Sequence, residues 1–122
     1  GAGSLSRSLR GDLLDAEAIT RPALEALLTQ NGIAPASYLQ ISRVRACLNQ
    51  YGLLTGCKGS LSYARRRALF GRILQDTDAR AALRARLQAD PNRLLALPYK
   101  LGLALRAPGF LAAYTLAKQR FL

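Results

Sequence analysis

Seven basic side chains, Arg43, Arg45, Lys58, Arg65, Arg66, Arg67 and Arg72, fall within residues 26–75, a stretch that contains no acidic residue. Guanidinium groups fork onto phosphate or carboxylate oxygens in pairs, so the chemistry open to this set is recognition of an anion. Arg65, Arg66 and Arg67 are consecutive and spread around a helix, so at least one of them faces solvent or a partner. Residues 91–122 repeat the pattern with Arg93, Lys100, Arg106, Lys118 and Arg120, again without an acid. The chain as a whole carries 18 basic and 7 acidic residues in 122, a net charge of +11. Charge segregated in this way repels itself unless something negative lies against it. Nucleic acid, an anionic membrane surface and an acidic protein are the three partners of that sign. Arginine outnumbers lysine fifteen to three, a bias that a GC-rich coding genome would also produce.

Catalytic chemistry finds little to work with. Histidine is absent, which removes the usual base for a serine or cysteine nucleophile. Two cysteines without histidine make a poor zinc site, and neither a metal nor a cofactor is expected. Asp12, Asp15 and Glu17 can share one helix side, but solvated carboxylates explain them sufficiently. The loop Gly52-Leu-Leu-Thr-Gly-Cys-Lys-Gly-Ser60 superficially resembles a phosphate-binding P-loop. It fails because Gly59 separates Lys58 from Ser60 and a helix, not a strand, precedes it. What remains is a loop whose amides, with Lys58 and Ser60 at a helix start, can hold one phosphate or carboxylate.

A helix-turn-helix pair is the sharpest specific alternative. Its helices would occupy about 21–31 and 36–51, with the tight turn at Gly32 and Leu27, Leu28, Ile33, Tyr38 and Ile41 as the apolar frame. Ser37, Gln40, Arg43 and Arg45 would then face the major groove of DNA, or an RNA equivalent. Leu28 stands where that motif favours alanine, and the second helix is about a turn too long.

The elements that must position these groups read as helices throughout. A short helix is expected over Asp12–Ala18, then a second from the cap Thr20, with Pro22 in its first turn and Asn31-Gly32 at its end. The central helix, about Ala36–Tyr51, carries Ile41, Val44, Leu48 and Tyr51 at three- and four-residue spacings, and Gly52 reads as its left-handed cap. Ser60 is expected to cap a helix to Gln75, and Thr77 or Asp78 one to Ala89, with Asp76 and Asp78 facing Arg80. The remainder reads as apolar helix interrupted at Pro98, Gly102 and Ala107-Pro108-Gly109. The last segment aligns Phe110, Tyr114, Ala117 and Phe121 and ends with Lys118 and Arg120, where a helix dipole favours cations. Residues 93–122 resemble the C-terminal tails of bacterial glycosyltransferases; the likeness rests on no motif, and no activity or residue role is taken from it.

These readings define an all-α chain, a small bundle of about five to seven helices with an apolar, proline- and glycine-interrupted C-terminal arm. Residues 1–11 form an N-terminal extension, 12–90 a basic helical core, and 91–122 the arm, either part of the same domain or docked on a partner. The expected function is that of a non-enzymatic accessory or structural subunit of a larger assembly, bound to other protein subunits. Its arginines would lie on RNA or DNA, an acidic protein or an anionic membrane. Tyr99, Phe110, Tyr114 and Phe121 would be the hydrophobic docking residues. Cys47 and Cys57 do not make a disulfide framework, which suggests reduced thiols inside the cell. The Ser- and Arg-rich first eleven residues resemble the tail of an organellar transit peptide, so a mitochondrial location fits as well.

Overall fold

Six helices and no strand form among residues 13–56 and 61–121, the part of the chain described by the computed structural model (backbone only for 93–95 and 121). They are α1 (Leu13–Gln30), α2 (Pro35–Thr55), α3 (Tyr63–Gln75), α4 (Thr77–Gln88), α5 (Arg93–Ala104) and α6 (Pro108–Phe121). The fold is an all-α bundle. Packing runs in two long pairs, α1 along α2 and α3 along α6, with α4 touching α2, α3 and α5 between them.

Four expected breaks, at Thr20, Gly52, Pro98 and Gly102, are absent. Thr20 does not cap a new helix; its hydroxyl donates to the Ala16 and Glu17 carbonyls inside one continuous α1. Pro22 lacks the N–H that the Ala18 carbonyl needs, a loss worth about 3 kcal/mol in a helix interior. The Glu17 carboxylate, gripped by Arg21 at 3.0 and 2.5 Å, bridges that turn while α1 lies along α2. Gly52 sits inside α2, where glycine costs about 1 kcal/mol relative to alanine. Burial of Leu54 (1% exposed) on the added turn, worth about 1.5–3 kcal/mol, outweighs that. Pro98 and Gly102 both lie inside α5. A Cβ on Gly102 would stand 2.4 Å from Leu111 Cδ2, so the glycine is what lets α5 and α6 meet closely.

The left-handed cap belongs to Gly32 (φ +71°), not to Gly52. Gly32 N–H donates to Thr29 O and Ile33 N–H to Leu28 O, the paired bonds of a Schellman turn that reverses the chain into α2. The same pair of bonds ends α5, with Arg106 (φ 49°) in the left-handed position and Ala107 N–H on Gly102 O. Ser62, rather than Ser60, caps α3 by accepting from Arg65 N–H; Ser60 lies outside the described residues.

Asp76 caps α4 by accepting from Ala79 N–H at 3.0 Å, and its other oxygen accepts from Arg43 Nε. Partial burial pushes this carboxyl up, but the bonds from the Ala79 amide, the Arg43 guanidinium and the Asp78 amide outweigh it, and its pKa falls below the ordinary value. Stability from a lowered carboxylate is present above its unfolded pKa of about 3.9 and is lost as pH falls through the folded one. Asp76→Asn keeps a capping oxygen but drops the ion pair, so it should cost about 1 kcal/mol at neutral pH, and Asp76→Ala about 2. In urea unfolding, the asparagine difference should close as pH drops below the carboxylate range. A difference that persists in acid would assign it to packing.

The core includes Leu14 of α1 and Cys47, Tyr51, Leu54, Leu69, Phe70, Ile73, Leu83, Tyr99, Leu103 and Leu111 of α2 to α6. Phe70, Tyr51, Tyr99 and Tyr114 meet edge-on in a chain, with centroids 6.3, 6.1 and 5.2 Å apart. Burial pushes the Cys47 thiol up to about 11, so this free cysteine is a packing residue with little thiolate at neutral pH. Gln50 is wholly buried; its Oε1 accepts from Leu13 N–H at 2.8 Å, holding the start of α1, while its Nε2 has no partner among the described residues.

Candidate functional site

The seven-residue basic cluster does not form one face. Arg43 donates to Asp76 and, at 3.2 Å, to Asp78, and Gln40 donates to Asp78 at 3.0 Å. Arg80, the expected mate of these aspartates, donates to Leu74 O instead. Arg72 pairs with Asp15 of α1 at 2.5 Å. Arg66 is 1% exposed, so it offers nothing to a partner; its guanidinium donates to Leu61 O at 2.9 Å and to Gln119 of α6. It is a buried tie between α3 and α6. Arg45, Arg65 and Arg67 are exposed, and Lys58 lies outside the described residues. A stretch empty of acid in sequence is thus supplied with acid by α1 and α4 in space.

The expected hydrophobic docking set divides in the same way. Tyr99 is a core residue, 8% exposed, beneath Lys118, whose ammonium lies 5.7 Å from the ring centroid. Tyr114 is half-buried against it, and among the described side chains of the set only Phe110, at 40%, offers substantial surface. The side chain of Phe121 lies outside the described residues. Two of the side chains that a DNA-reading pair would aim at base edges, Gln40 and Arg43, are held by α4. Ile33, Tyr38 and Ile41 of its apolar frame are exposed.

Two surfaces emerge that the residue pattern alone does not single out. One is on α5. Its inner side, Ala96, Tyr99 and Leu103, is buried, whereas Leu97 (58%), Leu101 (48%) and Leu105 (66%), which caps its C-terminus in a helical conformation, are exposed. Spaced four apart, they make a ridge about 12 Å long on one side of the helix. Lys100 sits half-buried beside it and Arg106 is exposed at its end, and the sequence from 91 to 122 brings no carboxylate near in the chain. The other is an open groove of about 650 Å³, floored by Ile41, Val44 and Leu48 of α2 and edged by Arg45 and Arg86. Arg86 was not singled out from the sequence, where it reads as one more solvated α4 residue. Neither Arg45 nor Arg86 makes an ion pair among the described residues.

No helix among the described residues is long and apolar enough to cross a membrane, and no three of their Asp, Glu and Cys side chains gather where they would hold a metal ion. Comparison with protein-family models, with curated proteins and with solved structures finds no match to this chain.

Proposed function

We propose that the chain is a non-enzymatic basic helical docking module that seats on an anionic membrane surface through α5. The observation that carries this reading is the exposed ridge Leu97, Leu101 and Leu105 on a helix whose other side is core. Scattered exposed leucines are ordinary on soluble proteins, but three aligned on one helix mark a surface meant to be covered. A helix with leucines on one edge and Lys100 and Arg106 at its margin suits the boundary between acyl chains and anionic headgroups. Each basic residue near such a surface contributes about 1 kcal/mol, and the net charge of +11 adds attraction at longer range.

Flotation of the full chain with vesicles tests this. The chain should rise with vesicles of phosphatidylglycerol and phosphatidylcholine and stay at the bottom with phosphatidylcholine alone. Added salt should weaken the association, because the charges are screened and the leucines are not. Equal flotation on neutral and anionic vesicles, or none on either, would overturn the reading.

A further inference from the structure

The residue spacing selects Ile41, Val44, Leu48 and Tyr51 for burial; the fold buries Tyr51 and covers the other three only in part. Ile41 is 56% exposed, Val44 and Leu48 are only half-buried, and Tyr38 one turn earlier is 53% exposed. The reason lies in the packing. Beyond Glu17, no residue of α1 is buried, so among the described residues no third helix backs the distal half of the α1–α2 hairpin. Below it, α4 approaches α2 through the Arg43–Asp76–Asp78 contacts and stops short, leaving the 650 Å³ groove.

We propose that this groove docks an amphipathic helix of another protein, with its apolar edge on Ile41, Val44 and Leu48 and its acidic flanks on Arg45 and Arg86. The floor residues recur at three and four positions along α2, the repeat that matches the anchors of a helix laid in a groove. Charge decides the character of the occupant. The one carboxylate on the groove wall, Asp78, is already engaged by Arg43 and Gln40, so the unpaired charges at the rim are positive. Candidates within the chain fit poorly. Residues 1–12 hold Arg7 and Arg10 against the single Asp12. A second copy has Asp15, Glu17, Asp76 and Asp78 taken by Arg72, Arg21 and Arg43, which leaves, among the described residues, Glu25 on α1 and Asp90 after α4, too far apart in the chain to flank one helix on both Arg45 and Arg86. An acidic segment from a different protein is the occupant whose charge fits.

The test uses the full chain in lipid-free buffer and a fluorescent synthetic helix with a leucine edge flanked by glutamates, beside a twin carrying lysines instead. Fluorescence anisotropy should show the glutamate helix binding at micromolar concentration and the lysine twin binding at least tenfold more weakly. Arg45→Glu with Arg86→Glu should reverse that preference, and Ile41→Asp should weaken the glutamate helix at least tenfold. All three positions are exposed, and circular dichroism should show the fold unchanged. Leu97→Asp on α5 should leave this binding as it was, which separates the groove from the lipid-facing ridge. Equal binding of the two helices, or indifference to the rim variants, would overturn the proposal. So would concentration-dependent self-association abolished by Ile41→Asp, which would make a second copy the occupant, or displacement of the peptide by anionic vesicles, which would give the groove to lipid.

Discussion

Replacing Leu97 and Leu101 together by aspartate should lower affinity for phosphatidylglycerol-containing vesicles by roughly a thousandfold. The magnitude follows from what each side chain still has to gain. Both leucines are already about half covered by the protein, at 58% and 48% exposure, so lipid removes about half of each surface from water. Full burial of leucine is worth about 1.5–3 kcal/mol, which leaves about 1 kcal/mol per position. A carboxylate brought to a negative headgroup layer costs about another 1 kcal/mol, by the same electrostatics that rewards a lysine there. The sum for two positions is about 4 kcal/mol, or three decades in affinity. Leu97→Ala with Leu101→Ala removes only the apolar part and should weaken binding about thirtyfold. Because neither residue contributes to the core, thermal unfolding should shift by no more than a few degrees. If the double aspartate variant floats as well as the parent, α5 is not the face that meets lipid. A parallel loss of helical circular dichroism would instead make the leucines structural.

The elements that spacing and capping could identify were those whose signals are local. The turn at Gly32 follows from Asn31-Gly32 after a leucine-rich run, and the break at Ala107-Pro108-Gly109 from its composition. Pro22, Gly52 and Pro98 misled because their penalties, about 1–3 kcal/mol each, are smaller than the packing that carries the helices past them. Surface was harder to read than structure. Counting charge along the chain cannot see that Arg72 reaches Asp15 from 57 residues away, or that Arg43 reaches Asp76 from 33. Periodicity had its own limit. In α2 the repeat through Ile41, Val44, Leu48 and Tyr51 is real, but of the four only Tyr51 is buried, together with Ala46, Cys47, Gln50 and Leu54 on an adjacent side. A helix apolar over more than one face does not announce which face the rest of the chain will cover. The ridge on α5 was equally present as leucines four apart, and equally mute until Tyr99 and Leu103 were seen to point inward.

Gly102→Val should be a strongly damaging substitution in the C-terminal half, and its loss should not simply add to that of a second change at Leu111. The built Cβ position lies 2.4 Å from Leu111 Cδ2 and 2.6 Å from Leu111 Cγ, so even one added carbon displaces a buried side chain. The Cγ contact is the telling one, because rotating the terminal methyls does not clear it. Overpacking of this kind costs about 1–3 kcal/mol, and valine, with two further methyl groups, belongs at the upper end. For a chain of this length that corresponds to a fall in Tm of roughly 10 °C. Leu111→Ala alone should cost about 2–5 kcal/mol through lost burial and the cavity it leaves. Combined, the valine methyls enter the space that Leu111 vacates, and the double variant should be more stable than the sum of the two losses by at least about 1 kcal/mol. Strict additivity in urea unfolding would mean that α5 and α6 can part without loss, and Gly102 would then owe its place to something other than their close approach. Coupling would fix the orientation of α5, because the glycine holds Ala96, Tyr99 and Leu103 inward and so presents Leu97, Leu101 and Leu105 to whatever surface the molecule meets.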